Sequence, residues 1–171
     1  EVVMKGNTDG LSATPSTRYN GNANRPVETV SWDDIQIFLS RLNAQQSANI
    51  PVGWSYVLPT EAQWEYACRA GTETSYSFGN KILPTDARWS DGKSPSQSSE
   101  VGRYPSNPWG FHDMHGNVWE WCSDWYGEYP STVAIDPIGP TAGTKRVRRG
   151  GSWLNPAILL RSAWRFESAP S

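Results

Sequence analysis

The sequence predicts one loop-rich domain of the α+β class, and three observations carry that expectation. Its 171 residues are enough for one domain with a substantial buried core. Ten Trp, 15 Gly and 13 Pro stand against only 37% hydrophobic residues, which pairs large rigid aromatics with many turn formers and few aliphatics. That balance points to a core of aromatic plates held by irregular turns. Two strong helix signatures occupy the first half of the chain, and only short apolar pieces follow Gly71.

Residues 1–30, rich in Gly, Asn, Ser, Thr and Pro, read as an ordered coil leading to a short extended piece at Val27–Val30. Ser31 can cap a helix over 32–43. Asp33 and Asp34 suit its positive end, and Ile35, Phe38, Leu39 and Leu42 follow helical spacing. A second helix is announced by "LPTEAQWEYACRAG": Thr60 and Gln63 make a capping box, and Gly71 supplies a stop. Trp64 and Cys68, four apart, share one of its faces, whereas Glu61 and Glu65 are expected on a solvated face. Turns at Gly79-Asn80, Asn107-Pro108, Gly116-Asn117, Gly139-Pro140 and Gly150-Gly151 punctuate the rest, with no internal repeat and no interdomain linker.

Net charge is −2, and the only basic cluster is Lys145, Arg146, Arg148 and Arg149, so nucleic acid is not expected as a partner. No apolar run approaches the roughly 18 residues of a membrane span, and the first residues lack the order of a signal peptide, so a soluble domain is expected. Cys68 and Cys122 are too few for a disulfide framework; two buried thiols is the preferred reading over a mutual disulfide.

Four segments in order, "RPVETVSWDD", "LPTEAQWEYACRAG", "WGFHDMHGNVWEWCSDWYG" and "RVRRGGSW", resemble the formylglycine-generating-enzyme, or sulfatase-modifying-factor, domain from about Arg25 to Arg165. The resemblance implies a C-type-lectin-like fold: a small twisted antiparallel sheet, two helices and long loops packed around tryptophans. Residues 1–171 then form a single domain lacking the family's first and last strands. In oxidases of this family two cysteines after the "GGS" segment bind copper. Here those positions fall near Asn155 and Leu160, neither of which can replace a thiolate toward copper(I), so no copper chemistry and no enzyme activity are expected. The three-His iron site of the family's sulfoxide synthases also lacks its parts, with only His112 and His115 present.

A transition-metal site on His112 and His115 is disfavoured because Gly110, Gly116 and Asn117 mark a loop rather than a helix. The same loop suits calcium, which takes carboxylate and carbonyl oxygens from irregular backbone. The resemblance implies side-chain oxygens from Asp113 and Glu120 and carbonyls from Gly116 and Val118, against the plainer possibility that Glu120 caps a turn and Asp113 is merely exposed. A second family calcium site is not expected, because a cation interrupts it around Arg88 to Asp91. No G-x-S-x-G elbow, P-loop or H-E-x-x-H motif occurs, and Ser152 lacks an evident His-Asp partner.

After "RRGGSW" the chain mixes large apolar, small and charged residues without helix or strand period. The arrangement resembles the variable proteins of diversity-generating retroelements, which keep a frame and diversify the positions between. The frame would be Gly150, Gly151, Ser152, Trp153, Ala157, Leu160, Arg161, Ser162, Ala163 and Arg165. The ligand-binding positions would be Leu154, Asn155, Pro156, Ile158, Leu159, Trp164, Phe166, Glu167 and Ser168. Aromatic anchors on a rigid frame suit recognition at low entropic cost, which is preferred over the plainer reading of Ile158, Leu159 and Trp164 as core residues. The expected function is non-catalytic binding of a protein or other macromolecule at a cell surface or outside the cell, with lipid anchoring through a leader not in this chain as one way of holding it there. The alternative is a formylglycine-generating-enzyme-like oxidoreductase or accessory acting on sulfatases.

Overall fold

The computed structural model describes residues 23–92 and 97–171, so the coil expected over 1–22 lies outside the described residues. Helix α1 spans Trp32–Gln46, helix α2 spans Glu61–Arg69, and strands β1 (Glu120–Trp125), β2 (Arg146–Arg149) and β3 (Phe166–Ser168) form an antiparallel sheet in the order β1-β2-β3. A 3₁₀ turn at Ala157–Leu160 separates β2 from β3.

Both helices start where their caps predict. The Ser31 hydroxyl accepts from the Asp34 amide while the Asp34 carboxylate accepts from the Ser31 amide, and Thr60 and Gln63 repeat the arrangement. Helix α1 runs to Gln46 rather than to 43, because Ala44, Gln45 and Gln46 are good helix formers with no breaker among them. Its apolar residues Ile35, Phe38, Leu39 and Leu42 are half-buried. Helix α2 ends at Arg69 and is capped by Ala70, which takes the left-handed conformation (φ 47°) one residue ahead of the predicted glycine stop. The extended piece expected at Val27–Val30 forms no strand. Thr29 has φ 62°, which turns the backbone out of the extended region, and the Val30 carbonyl is taken by the Trp121 indole.

Two apolar clusters hold these elements. Trp64 and Cys68 of α2 pack with Met114, Cys122 and Val147 between helix and sheet. Tyr76, Ile82, Ala87 and Leu160 form the second, under the 3₁₀ turn. Cys68 and Cys122 are both buried free thiols, as the preferred sequence reading has it. Burial pushes the Cys68 thiol up to about 12 and the Cys122 thiol up as well, so neither is available as a thiolate.

Glu61 and Glu65 correct the expectation of a solvated face. Glu61 is buried and pairs with Arg165 at 2.6 Å, and both carboxylates face Arg149, whose side chain is wholly enclosed. The helical spacing was right, but this face of α2 turns toward the cations of β2 and the terminal segment. Arg149 also donates to the carbonyls of Ser162 and Trp164, tying β2, α2 and the chain before β3 at one point. Two glycines permit the close packing nearby. A Cβ on Gly116 would meet the Arg88 carbonyl oxygen at 2.3 Å, and one on Gly151 would meet Leu160 Cδ1 at 2.8 Å.

Leu160 is fully enclosed whereas Ile158, two residues earlier on the same turn, is 55% exposed. Leu160→Ala is expected to cost about 2–5 kcal/mol in urea unfolding, whereas Ile158→Ala stays within about 0.5 kcal/mol. Equal costs for the two would contradict this account of the turn.

Candidate functional site

The segment after Gly151 is built from alternating inward and outward residues. Gly151, Trp153, Leu160 and Ser162 are buried, while Leu154 (53% exposed), Pro156, Ile158 and Phe166 (43%) face outward. The inward residues are held by specific bonds: the Trp153 amide donates to the Asn117 carbonyl, Tyr76 Oη donates to the Ala157 carbonyl at 2.8 Å, and the Ser162 amide donates to the Ser75 carbonyl.

Five of the nine expected ligand-binding residues are half-buried rather than exposed. Asn155 spends its side-chain oxygen on the amide and hydroxyl of Ser152, closing a turn at 2.9 and 2.7 Å. Leu159 packs on the Tyr76–Leu160 cluster, because one tight turn cannot point three successive large side chains outward. Trp164 lies beneath the Arg161 guanidinium, 5.6 Å away, and its indole N–H is buried without an acceptor among the described residues. Glu167 pairs with Lys145, and Ser168 lies opposite Arg146 in the sheet. Of the expected frame, Ala163 is exposed and Ala157, Arg161 and Arg165 are half-buried.

Three of the four expected calcium ligands, Asp113, Val118 and Glu120, line one cavity of about 360 Å³, whereas Gly116 is not part of its lining. Left-handed turns at Asp113 (φ 58°), Gly116 (φ 98°) and Asn117 (φ 61°) coil the backbone there. Asn117 pins the coil. Its amide donates to the Arg88 carbonyl, its carbonyl accepts from Trp153, and its side-chain oxygen accepts from the Ser99 amide.

Asp113 is not merely exposed: Oδ2 accepts from the Gly102 amide at 2.8 Å, and Oδ1 is buried with no hydrogen-bond partner among the described residues. Glu120 does not cap a turn but opens β1, its Oε2 accepting from the Trp64 indole at 2.6 Å. Burial, with the Asp113 charge adding to it, pushes the Glu120 carboxyl up to about 7. An orphaned carboxylate oxygen and a second carboxylate facing one cavity are the chemistry a hard cation satisfies. No cluster of three or more His, Cys, Asp or Glu side chains suited to a metal occurs among the described residues. With only two carboxylates at the cavity, an ion there would need backbone oxygens as well, a donor set of the calcium kind rather than the transition-metal kind.

His112 and His115 do not converge. His112 hydrogen-bonds the Tyr104 carbonyl on an exposed stretch, whereas His115 is buried. His115 Nδ1 donates to the Leu160 carbonyl at 2.8 Å, and Nε2 accepts from the Ser77 amide at 3.0 Å, which fixes the neutral tautomer. Sequence reasoning missed this post and missed Asn117 and Arg149. A polar residue inside "HDMHGNVWEW" or "RRGG" is recognisable as structural only once its distant partners are known.

A family model described as the sulfatase-modifying factor enzyme 1-like domain matches residues 3–171. The chain belongs to that family. It is 34% identical over 173 residues to the formylglycine-generating enzyme of Mus musculus, a match spanning 91% of this chain and 43% of the mouse protein. It is 36% identical over 155 residues to the serine/threonine-protein kinase pkn1 of Chlamydia caviae, covering 88% of this chain and 22% of the kinase. The chain thus spans less than half the length of these curated relatives. Among solved structures, Treponema denticola variable protein 1 superposes with a TM-score of 0.80 at 28% identity, covering 99% of this chain and 74% of that one. The fold is the family's C-type-lectin-like architecture of two helices and a small antiparallel sheet.

Burial lowers the His115 pKa below its ordinary 6.5, and the proton it would gain at Nε2 would meet the Ser77 N–H. Below about pH 6.5 the unfolded chain therefore takes up a proton that the folded chain refuses, and this share of stability is lost as pH falls. The gap in urea midpoint between the native chain and His115→Gln is expected to shrink from about pH 7.5 to pH 5.5. A gap independent of pH would show that His115 is not held neutral.

Proposed function

We propose that this domain is a non-catalytic binding module of the variable-protein kind, presenting residues between 154 and 168 to a protein or other macromolecule. The observation that carries the reading is the division of that segment into buried supports and outward side chains. Leu154, Pro156, Ile158 and Phe166 can change without disturbing Trp153, Leu160 or Ser162. The likeness to Treponema denticola variable protein 1 supports the same reading. Rigid loops that display a few large side chains suit recognition because little side-chain and loop entropy remains to be lost on binding. Presentation at a cell surface or outside the cell belongs to this proposal.

Family membership favours a second reading, an oxidoreductase or accessory acting on sulfatases. The residues near the positions assigned to copper argue against it. Asn155 closes a turn on Ser152, Leu160 is enclosed in an apolar cluster, and the two thiols of the chain are buried with raised pKa values. Incubated with copper, oxygen and a sulfatase-type cysteine peptide, the protein is expected to generate no aldehyde reactive toward an aminooxy probe. Aldehyde formation would overturn the non-catalytic reading.

A display library randomised at Leu154, Pro156, Ile158 and Phe166 is expected to remain largely folded by protease resistance. The same treatment of Trp153, Leu160 and Ser162 is expected to unfold most members. Similar folded fractions in the two libraries would remove the basis for a diversified surface.

Calcium belongs to the same proposal, as a structural ion held by Asp113 and Glu120 side chains with Gly116 and Val118 carbonyls. Bound there, it would neutralise two carboxylates and brace the coil on which Trp153 rests. At about a hundred times its Kd, calcium is expected to stabilise the chain by about 2.7 kcal/mol in thermal unfolding. Magnesium is expected to do less, and Glu120→Gln to abolish the effect. An unchanged calcium response in Glu120→Gln would place the ion elsewhere.

A further inference from the structure

The face of the sheet opposite the buried Val147 carries a second feature, which shares Phe166 with the terminal segment. Cross-strand pairing puts Trp121 of β1, Arg148 of β2 and Phe166 of β3 in one row. Trp119, two residues before Trp121, packs on Phe166 with ring centroids 5.3 Å apart. The Arg148 guanidinium lies 5.6 Å from the Trp119 ring, 5.1 Å from Trp121 and 5.4 Å from Phe166.

Every neighbouring cation has a partner. Arg149 faces Glu61 and Glu65, and Lys145 pairs with Glu167. Arg146 is sandwiched between Trp32 at 3.8 Å and Trp125 at 3.4 Å and donates to the Ser123 carbonyl. Arg148 pairs with no carboxylate among the described residues, and its Nε is buried without an acceptor. Aromatic rings steady a guanidinium but leave its in-plane N–H donors free, and a carboxylate meets that fork in two parallel bonds.

We propose that Arg148, with Trp119, Trp121 and Phe166, seats an acidic side chain of a protein partner beside an apolar one. The proposal rests on the binding-module reading and extends its surface from Phe166 across the sheet. Charge complementarity selects the occupant. One unpaired cation ringed by aromatics matches a single Asp or Glu, whereas a nucleic acid or an anionic membrane needs a run of free cations, and among the described residues Arg146 on the same face is already engaged by Trp32, Trp125 and the Ser123 carbonyl. Trp and Arg are also the residue types that dominate binding energy in the centre of protein interfaces.

The test is to pan a phage-displayed random peptide library on the full chain. Enriched peptides are then measured against the native protein, Arg148→Met, Arg148→Lys and Ile158→Ser, each checked for an unchanged melting midpoint. Enriched peptides are expected to carry an Asp or Glu next to an apolar residue and to weaken about tenfold or more on Arg148→Met. Amidating the peptide acid is expected to weaken binding to the native protein but not to Arg148→Met. Arg148→Lys, which keeps the charge without the fork, is expected to fall between; it carries the test alone should Arg148→Met not fold, and native-like affinity in it would then overturn the proposal. Peptides weakened by Ile158→Ser but not by Arg148→Met overturn this proposal while leaving the binding module standing. Failure to enrich any peptide sensitive to either substitution overturns both. Single-stranded DNA or phosphatidylserine vesicles that bind in an Arg148-dependent manner would replace the acidic protein with a polyanion and overturn it as well.

Discussion

The fully enclosed guanidinium of Arg149 is the interaction on which the rest of the structure depends. It faces Glu61 and Glu65 of α2 and holds the Ser162 and Trp164 carbonyls ahead of β3. A buried charge is tolerated only when it is paired and hydrogen-bonded, and removing one member of such a pair costs about 3–5 kcal/mol. Its specific value here is positional. A fork of fixed geometry sets the distance between helix, sheet and terminal segment, which short strands and irregular loops cannot set by themselves.

Around that point the domain substitutes aromatic plates for aliphatic layers. Trp64 closes one core cluster with its ring and reaches the Glu120 carboxylate with its indole N–H. The indoles of Trp32 and Trp121 tie the start of α1 and the chain before it to β1, through the carbonyls of Cys122 and Val30. A tryptophan can serve loop-rich architecture in this way because its body is apolar and its edge is a donor. Rigidity built from such contacts lets Leu154, Ile158 and Phe166 stand exposed on a chain with little regular structure beneath them.

Local chemistry made much of this legible. The capping boxes at Ser31 and Thr60 and the shared face of Trp64 and Cys68 depend on neighbours a few residues away, and the glycines at Gly116 and Gly151 mark left-handed backbone (φ 98° and 77°) by their own lack of a Cβ. The outward residues of the terminal segment were legible less well. By sequence alone Asn155, Leu159 and Trp164 group with Leu154 and Ile158, yet Asn155 turns onto Ser152, Leu159 onto the Tyr76 cluster and Trp164 under Arg161. Which side of a 3₁₀ turn faces inward depends on where Tyr76, Ile82 and Ala87 lie, and those residues stand far earlier in the chain.

The sequence by itself determined the helices, their caps, the turn-rich aromatic composition and the family, because each resides in short-range bonding or in motifs of fixed spacing. Tertiary structure alone decided that Glu61 is buried rather than solvated, that His115 is a neutral post rather than a ligand, and that Arg148 meets only aromatic rings among the described residues while Lys145 and Arg149 face carboxylates. Each of these outcomes is set by the partners that distant segments bring. A charge is a surface residue, a core fixture or a binding group according to what stands within a few ångströms of it, and spacing along the chain carries no record of that.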